Sequence, residues 1–358
     1  MVITDIKTEY FRWPKKTPIR NGKHIFTDNE LKLVKIETDE GITGLGTSRS
    51  IDYVDYFKPF LIGENPFNTE RIWEKLWVPK YIGRRSISTQ SISALDIALW
   101  DIKSKAANIS LYQLLGGHKD RIPCYVAGGY YSEGKGIREL QQEMAEYRSW
   151  GVSAVKMKIG GASIREDIAR VKAVREVIGE ETRLMIDANC AYRFYEAVEF
   201  AKRAEEYHPF WFEEPVMPDD YDGFSKLEKH TSIPIAAGEN EYTQYGFRDL
   251  INTGAIAILN PDAGTMGGIT EFMKIAAYAQ ANHIDISPHG QQQVHTHLAC
   301  AVPNAILLEF YPLQYDAMTY KIFKNPMVIN RDGTVSPNAV PGAGLDPNYD
   351  EIERFRIF

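Results

Sequence analysis

The chain has 358 residues, more than one ordinary domain holds and about the size of a barrel with a smaller companion. Its 41 lysines and arginines face 48 acidic residues, a net charge of −7, so no basic field is available for nucleic acid. No window approaches ~18 consecutive apolar residues, which leaves membrane spanning and secretion without support, and Cys124, Cys190 and Cys300 are too scattered for a disulfide framework or a thiolate zinc site, so a reducing cytoplasm is the expected compartment.

Residues 1–120 read as an α+β unit. Val2–Phe11 and Leu31–Thr38 alternate apolar and polar residues at period two, and Thr17–Phe26 between them reads as a loop. Glu40-Gly41 turns the chain into a third strand, Ile42–Thr47. Helical patterns follow Pro66, notably Ser91–Lys105, where Ile92, Leu95, Ala98, Leu99 and Ile102 share one face. Residues 121–312 then alternate strand and helix. The strands are Cys124–Ala127, Ala154–Lys158, Arg183–Asp187, Phe210–Glu213, Ile233–Ala237, Ala255–Leu259, His283–Ser287 and Ala305–Glu309. Helices fall between them, such as Ile164–Ile178, Tyr195–Tyr207, Tyr245–Asn252 and Gly267–Ala281. Eight apolar strands with intervening helices argue for a closed α/β barrel rather than an open sheet. Residues 313–358, rich in Pro, Gly and Asn, are expected to wrap back onto the first unit.

Five ionisable residues directly follow short apolar runs: Asp187, Glu213, Glu239, Asp262 and His289. They stand 26, 26, 23 and 27 residues apart, the length that a strand, loop, helix and return loop consume. One such group at the carboxyl end of each successive strand is the layout of a barrel active site. Asp187, Glu213 and Glu239 make an all-oxygen ligand set for a hard divalent cation, Mg²⁺ first, one per chain. Capping of the following helices is the bland alternative for any one of them, but it does not explain three in register.

Lys156 and Lys158 are two residues apart and share a face of the strand before the metal strands, where a barrel normally holds Val, Ile or Leu. Two ammonium groups beside a cation repel one another, which is expected to lower the pKa of at least one and make it a usable base; outward snorkelling is the alternative. Asp262 and His289, at adjacent strand ends, form a carboxylate–imidazole dyad. Glu309 closes the eighth strand in Leu-Leu-Glu-Phe, an apolar setting. His295 and His297 fall in a helical segment and read as packing residues.

This constellation closely resembles the enolase superfamily, mandelate racemase subgroup. The resemblance covers nearly the whole chain, including Ala98-Leu-Trp-Asp-Ile-Lys-Ser-Lys105 through Leu114-Leu-Gly-Gly117, which matches the usual end of that family's capping domain. It implies a (β/α)₇β modified TIM barrel with an α+β capping domain. It also implies Mg²⁺ held by Asp187, Glu213 and Glu239, Lys158 in the catalytic place beside Lys156, the dyad Asp262–His289, and Glu309 as the strand-eight acid. The muconate-lactonizing and dipeptide-epimerase branches place a second lysine across the barrel, and none lies between Lys229 and Lys274. Amidohydrolase-type barrels need His-x-His on the first strand, which Tyr125-Val-Ala-Gly128 lacks.

The implied chemistry is removal of the proton α to a carboxylate. A β-hydroxyl on the substrate would be expelled, giving dehydration of an acid sugar to a 2-keto-3-deoxy acid. Without a leaving group the outcome is racemisation or epimerisation, and a sugar-acid lactone could undergo cycloisomerisation through the same enolate. A barrel retained only for binding would be expected to have lost a base or ligand. The family's capping domains select the substrate with loops over the mouth. Here Arg20 and His24, Arg84 and Arg85, and Asn189 and Tyr192 are the expected polar contacts for an aldonate or aldarate. Ala127-Gly-Gly-Tyr-Tyr-Ser132 also resembles aldonate dehydratases. The expected partner is a small acid sugar in a homo-oligomer, with no nucleic acid or membrane.

Overall fold

The computed structural model describes residues 1–358. The chain opens with an antiparallel sheet, β1 (Ile3–Arg20), β2 (Ile25–Thr38) and β3 (Thr43–Thr47). The loop expected at Thr17–Phe26 is instead the end of a long hairpin, with Ile19 opposite Phe26 and Arg20 opposite Ile25. Apolar burial does not stop at Phe11: Trp13 and Ile19 also bury, and a register shift between Pro14 and Ile19 takes up the Pro-Lys-Lys stretch.

Three helices, Val54–Leu61, Thr69–Leu76 and the 20-residue Ile87–Ala106, cover one face of this sheet and share a cluster of 18 buried apolar residues with it. Contact between β3 and the long helix is unusually close. Gly44 and Gly46 are two apart, on one face of β3, and a Cβ there would lie 2.2 Å from Ala98 O and 1.9 Å from Ala94 O. Nearby, the buried Asp101 accepts from Leu45 N at 2.8 Å, Ala343 N at 2.7 Å and Lys105 Nζ at 2.7 Å. One carboxylate thus ties β3, the helix and a late segment of the chain together.

Eight parallel strands follow: β4 (Ile122–Gly128), β5 (Ala154–Lys158), β6 (Arg183–Asp187), β7 (Trp211–Glu213), β8 (Ile235–Ala237), β9 (Ile256–Leu259), β10 (Asp285–Ile286) and β11 (Leu308–Phe310). They pair in the order β10-β9-β8-β7-β6-β5-β4-β11, and a bridge between Ile286 and Ala305 closes the ring. Helices lie between consecutive strands, from Ile137–Ser149 to Gln292–Ala301, and no long helix follows β11. This is a (β/α)₇β barrel. No helix of the chain is long and apolar enough to cross a membrane.

Where an eighth helix would start, the chain runs back in turns. It adds β12 (Thr334–Val335) antiparallel to β4, then pairs Arg356 with Phe11, with Tyr10 N donating to Phe358 O and Ile357 N to Tyr10 O. The first unit also docks on the barrel helix Gly268–Ala281: Trp73 Nε1 donates to Gly267 O at 2.8 Å and Trp100 Nε1 to Thr270 Oγ1 at 2.9 Å.

A methyl group at position 46 has backbone on its far side and no space to enter. Gly46→Ala is expected to lower stability by about 1–3 kcal/mol, read as a lower denaturation midpoint in urea with unchanged m-value.

Candidate active site

The pleat of the strands sorts the barrel interior into layers. Tyr125, Ala154, Met185, Trp211, Ala236, Ile258 and Leu307 form a small apolar cluster inside the ring. Two residues further along four of those strands, the same face carries Lys156, Asp187, Glu213 and Glu309, all fully buried. Lys158 follows two residues after Lys156, while Val155 and Met157 point outward into the main core. Inward alternation on β5 therefore brings both lysines to the carboxylates.

Lys156 Nζ lies 2.7 Å from Glu213 Oε1, 2.8 Å from Glu309 Oε1 and 3.5 Å from Asp187 Oδ2. Lys158 Nζ is hydrogen-bonded to Asp187 Oδ2. The other oxygens are held too: Trp211 Nε1 donates to Glu213 Oε2 at 2.9 Å, and Gly290 N to Glu309 Oε2 at 2.7 Å. Across the mouth, His289 Nδ1 is 3.2 Å from Asp262 Oδ2 and its Nε2 is 3.2 Å from Glu239 Oε2 and 3.8 Å from Glu309 Oε2. Gly264 N holds the second Asp262 oxygen at 2.8 Å. His295 and His297 are buried in the helix Gln292–Ala301; His295 Nε2 accepts from Ala263 N at 3.0 Å, which supports the loop after Asp262.

The electrostatics show carboxylates crowded without enough positive charge. Burial, reinforced by Asp187 and Glu239, lifts Glu213 to about 7 despite Lys156. Burial lifts Glu214 to about 8; Asn240 donates to both of its oxygens, and Cys190 Sγ to one. Burial would raise Glu309, but Lys156 and His289 pull it down to about 2. The lowering expected for the lysines belongs to a site with its cation; in the metal-free cluster the balance runs the other way. Burial lowers both, and Lys156 adds to this at Lys158, but Asp187 with Tyr130 and Glu239 raises Lys158, and Glu213 with Glu309, Tyr125 and Asp187 raises Lys156. Burial would depress His289, yet Glu239, Glu309 and Asp262 carry it to about 9.

One oxygen each from Asp187, Glu213 and Glu239 lies within 4.8 Å of the others. Asn189 Oδ1 is buried with no hydrogen bond, and Glu239 Oε2, also without one, meets only the His289 imidazole at 3.2 Å. Three clustered carboxylates beside an orphaned amide oxygen suit a hard divalent cation such as Mg²⁺.

A cavity of about 730 Å³ opens above this cluster, lined by Lys158, Asn189, Glu214, Glu239 and His289 from the barrel. The hairpin tip of the first sheet supplies Asn21, Lys23 and His24 to its roof. Of the six residues expected to meet substrate, His24 and Asn189 line it. The other four do not. Arg20 ends a strand, donates to Gly161 O at 2.8 Å and lies over the Tyr131 ring. Arg84 is exposed. Arg85 is engaged by Asp219, Tyr221 and the buried Glu241. Tyr192 is buried with its ring stacked on Phe200.

Sequence reasoning passed over Arg49, Tyr311 and Gln291, which also line the cavity. Tyr311 and Gln291 each stand two residues beyond a noted group, Glu309 and His289, a signal that was available. Arg49 comes from the turn after β3, outside the βα repeat, and had none. Backbone strain gathers here as well: Asn189, Cys190, Glu214 and Gln291 all have positive φ, between 40° and 60°.

These features define a capped (β/α)₇β barrel with a carboxylate metal site and basic groups on either side. Residues 3–116 match the mandelate racemase/muconate lactonizing enzyme N-terminal domain family, and residues 139–352 the enolase C-terminal domain-like family. The chain belongs to the enolase superfamily, mandelate racemase subgroup. Arabinonate dehydratase of Saccharolobus solfataricus is 36% identical over 91% of each chain. The 3,6-anhydro-alpha-L-galactonate cycloisomerase of Streptomyces coelicolor is 32% identical over 99% of this chain and 100% of its own. A racemase from Streptomyces coelicolor A3(2), solved with bound magnesium, superposes with a TM-score of 0.92 at 31% identity, covering 99% of this chain and 100% of that one.

If the trio holds the cation, Mg²⁺ at about 100 times its Kd should stabilise the fold by about 2.7 kcal/mol, read as a rise in Tm. Glu239→Gln, which removes one anionic ligand and the charge facing His289 Nε2, should abolish that Mg²⁺-dependent rise, read against the variant's own metal-free Tm.

Proposed function

We propose that this chain is a Mg²⁺-dependent dehydratase of an acid sugar, an aldonate or aldarate, forming a 2-keto-3-deoxy acid. One observation carries the reading: Lys158 and His289 face the same cavity from opposite sides of the Asp187–Glu213–Glu239 trio. A carbon acid seated between them presents one face to each.

Asp187, Glu213 and Glu239 would hold a divalent cation, which would supply charge stabilisation for the substrate carboxylate and weaken the hold of Asp187 on the Lys158 proton. Lys158 then takes the α-proton, and the C–H electron pair becomes the C=C bond of an enediolate. Lys156, charged and without freedom to move, stands beside the developing charge. The C–O bond at the β carbon breaks, and His289 gives its proton to the departing oxygen, releasing water. Asp262 accepts from Nδ1, which leaves Nε2 turned toward the substrate. The enol product takes up a proton at carbon 3 and becomes the 2-keto acid. Glu309 links the two sides through Lys156 and the His289 loop.

A second reading has specific support. The cycloisomerase relative aligns over 99% of this chain and 100% of its own, and a ring oxygen at the β position could leave by the same two proton transfers. In that case the departing oxygen, protonated by His289, stays on the opened product as a hydroxyl and no water forms.

Screening mono- and diacid sugars with Mg²⁺ in ²H₂O tests the proposal: α-hydrogen exchange reports Lys158, and 2-keto acid formation reports elimination. Lys158→Ala is expected to remove both, by about 10²–10⁴-fold, with Tm retained. His289→Asn should keep α-exchange and lose elimination. A fully active Lys158→Ala enzyme would refute the assignment.

A further inference from the structure

The guanidinium of Arg49 is short of partners. It comes from the capping sheet, on a turn fixed by Ser48 Oγ to Ser50 O (2.6 Å), Ser91 Oγ to Ser50 O (3.2 Å) and Lys32 Nζ to Arg49 O (2.8 Å). The side chain remains 52% exposed and lines the catalytic cavity. Its Nε is 3.7 Å from Asp262 Oδ2, beyond a hydrogen bond. Its Nη2 is 3.3 Å from His289 Nδ1, an atom that must carry its own proton to donate to Asp262 and so cannot accept another. The guanidinium therefore approaches the dyad through Nε and Nη2 with no protein acceptor within hydrogen-bond distance for its donors.

Beside it, Gln291 has the opposite deficiency. Its Oε1 is buried with no hydrogen bond, while Nε2 reaches Asp262 Oδ1 only at 3.4 Å. The amide is confined there: a Cβ at Gly264 would lie 1.8 Å from Nε2, so that glycine makes the room. Arg49 and Gln291 also border a second, polar cavity of about 420 Å³ that Asp262 and His289 line as well. They stand at the junction of the two.

We propose that Arg49 and Gln291 form a subsite for the hydroxylated carbons of the substrate, and that the preferred substrate is a polyhydroxy monocarboxylate rather than a dicarboxylate. This rests on the acid-sugar reading above. Donors and an acceptor side by side match a hydroxyl, which both gives and accepts a hydrogen bond. A carboxylate offers only acceptors. It would meet Gln291 Oε1 and add negative charge where Asp262, Glu239 and Glu214 already act on Arg49. Of the basic groups on the cap, Arg20, Arg84 and Arg85 do not line the catalytic cavity; Lys23 and His24 do, from the hairpin tip, a different segment of the cap from the Arg49 turn.

The test uses the Mg²⁺-loaded full chain with five- and six-carbon aldonates and the aldarates of matching configuration. Wild type should turn over its best aldonate with kcat/KM at least about tenfold above the matching aldarate. Arg49→Gln and Gln291→Met should each raise KM for that aldonate about tenfold, with kcat within about threefold, and Arg49→Lys should fall between. An aldarate preference overturns the proposal, as do variants that lower kcat with KM unmoved or change neither. Should Arg49→Gln lose the Mg²⁺-dependent rise in Tm, Gln291→Met carries the test. If wild type neither exchanges the α-hydrogen of any acid sugar nor forms a 2-keto acid, the dehydratase reading itself has failed. Turnover of both acids with equal efficiency leaves that reading intact and removes only the subsite.

Discussion

A lysine without access to solvent, wedged among carboxylates, is the interaction on which the rest of this barrel depends. Taking Lys156, Glu213 and Glu309 out of water is costly, and only their short mutual contacts offset that cost. Geometry is therefore not negotiable. The second oxygen of Glu213 is pinned by Trp211 in the apolar floor, and the second oxygen of Glu309 by the Gly290 amide next to His289. A continuous line of polar contacts thus runs from the barrel floor, through Lys156, to the imidazole loop on the opposite strand. Removing any member would leave a buried charge without its partner.

Above that line the capping sheet acts as half of the site. The barrel provides ionisable groups at strand ends, where successive βα units repeat them. The cap provides the roof through the tip of the β1–β2 hairpin and through the turn after β3. The packing of the cap fixes where the turn after β3 begins. Gly44 and Gly46 let β3 lie against the backbone of the long helix, and Asp101 fastens the same strand to that helix and to residue 343. Arg49 sits three residues beyond Gly46, so the closeness of strand and helix also sets where the guanidinium hangs.

Much of this was legible in the sequence, for physical reasons that can be named. Parallel barrel strands repeat at a nearly constant interval and place inward residues at period two, so Asp187, Glu213, Glu239, Asp262 and His289 announced themselves by spacing alone. The strand Ala154–Lys158 and the helix Ile164–Ile178 were read to the residue. Less was legible wherever tertiary contact decides. Whether Arg20 or Arg85 reaches the mouth depends on partners such as Tyr131 and Glu241, which are remote in sequence. Tyr192 looked polar by composition, and packing against Phe200 made it core. Lysine basicity turns on carboxylates from other strands, which keep both ammonium groups charged in the metal-free cluster and which β5 alone does not reveal.

The pairing of Arg356 with Phe11 has a bearing on how the molecule is made. Sequence-distant contacts of this kind carry the full entropy of closing a very long loop. During synthesis the first sheet emerges well before Ile357 and Phe358, and its outer edge at Tyr10 must wait for them. Until then β1 presents an unpaired strand edge, the type of surface on which nascent chains associate. Within the barrel every neighbouring pair of parallel strands except β4–β11 is also consecutive in sequence, so only its closure waits for a distant segment.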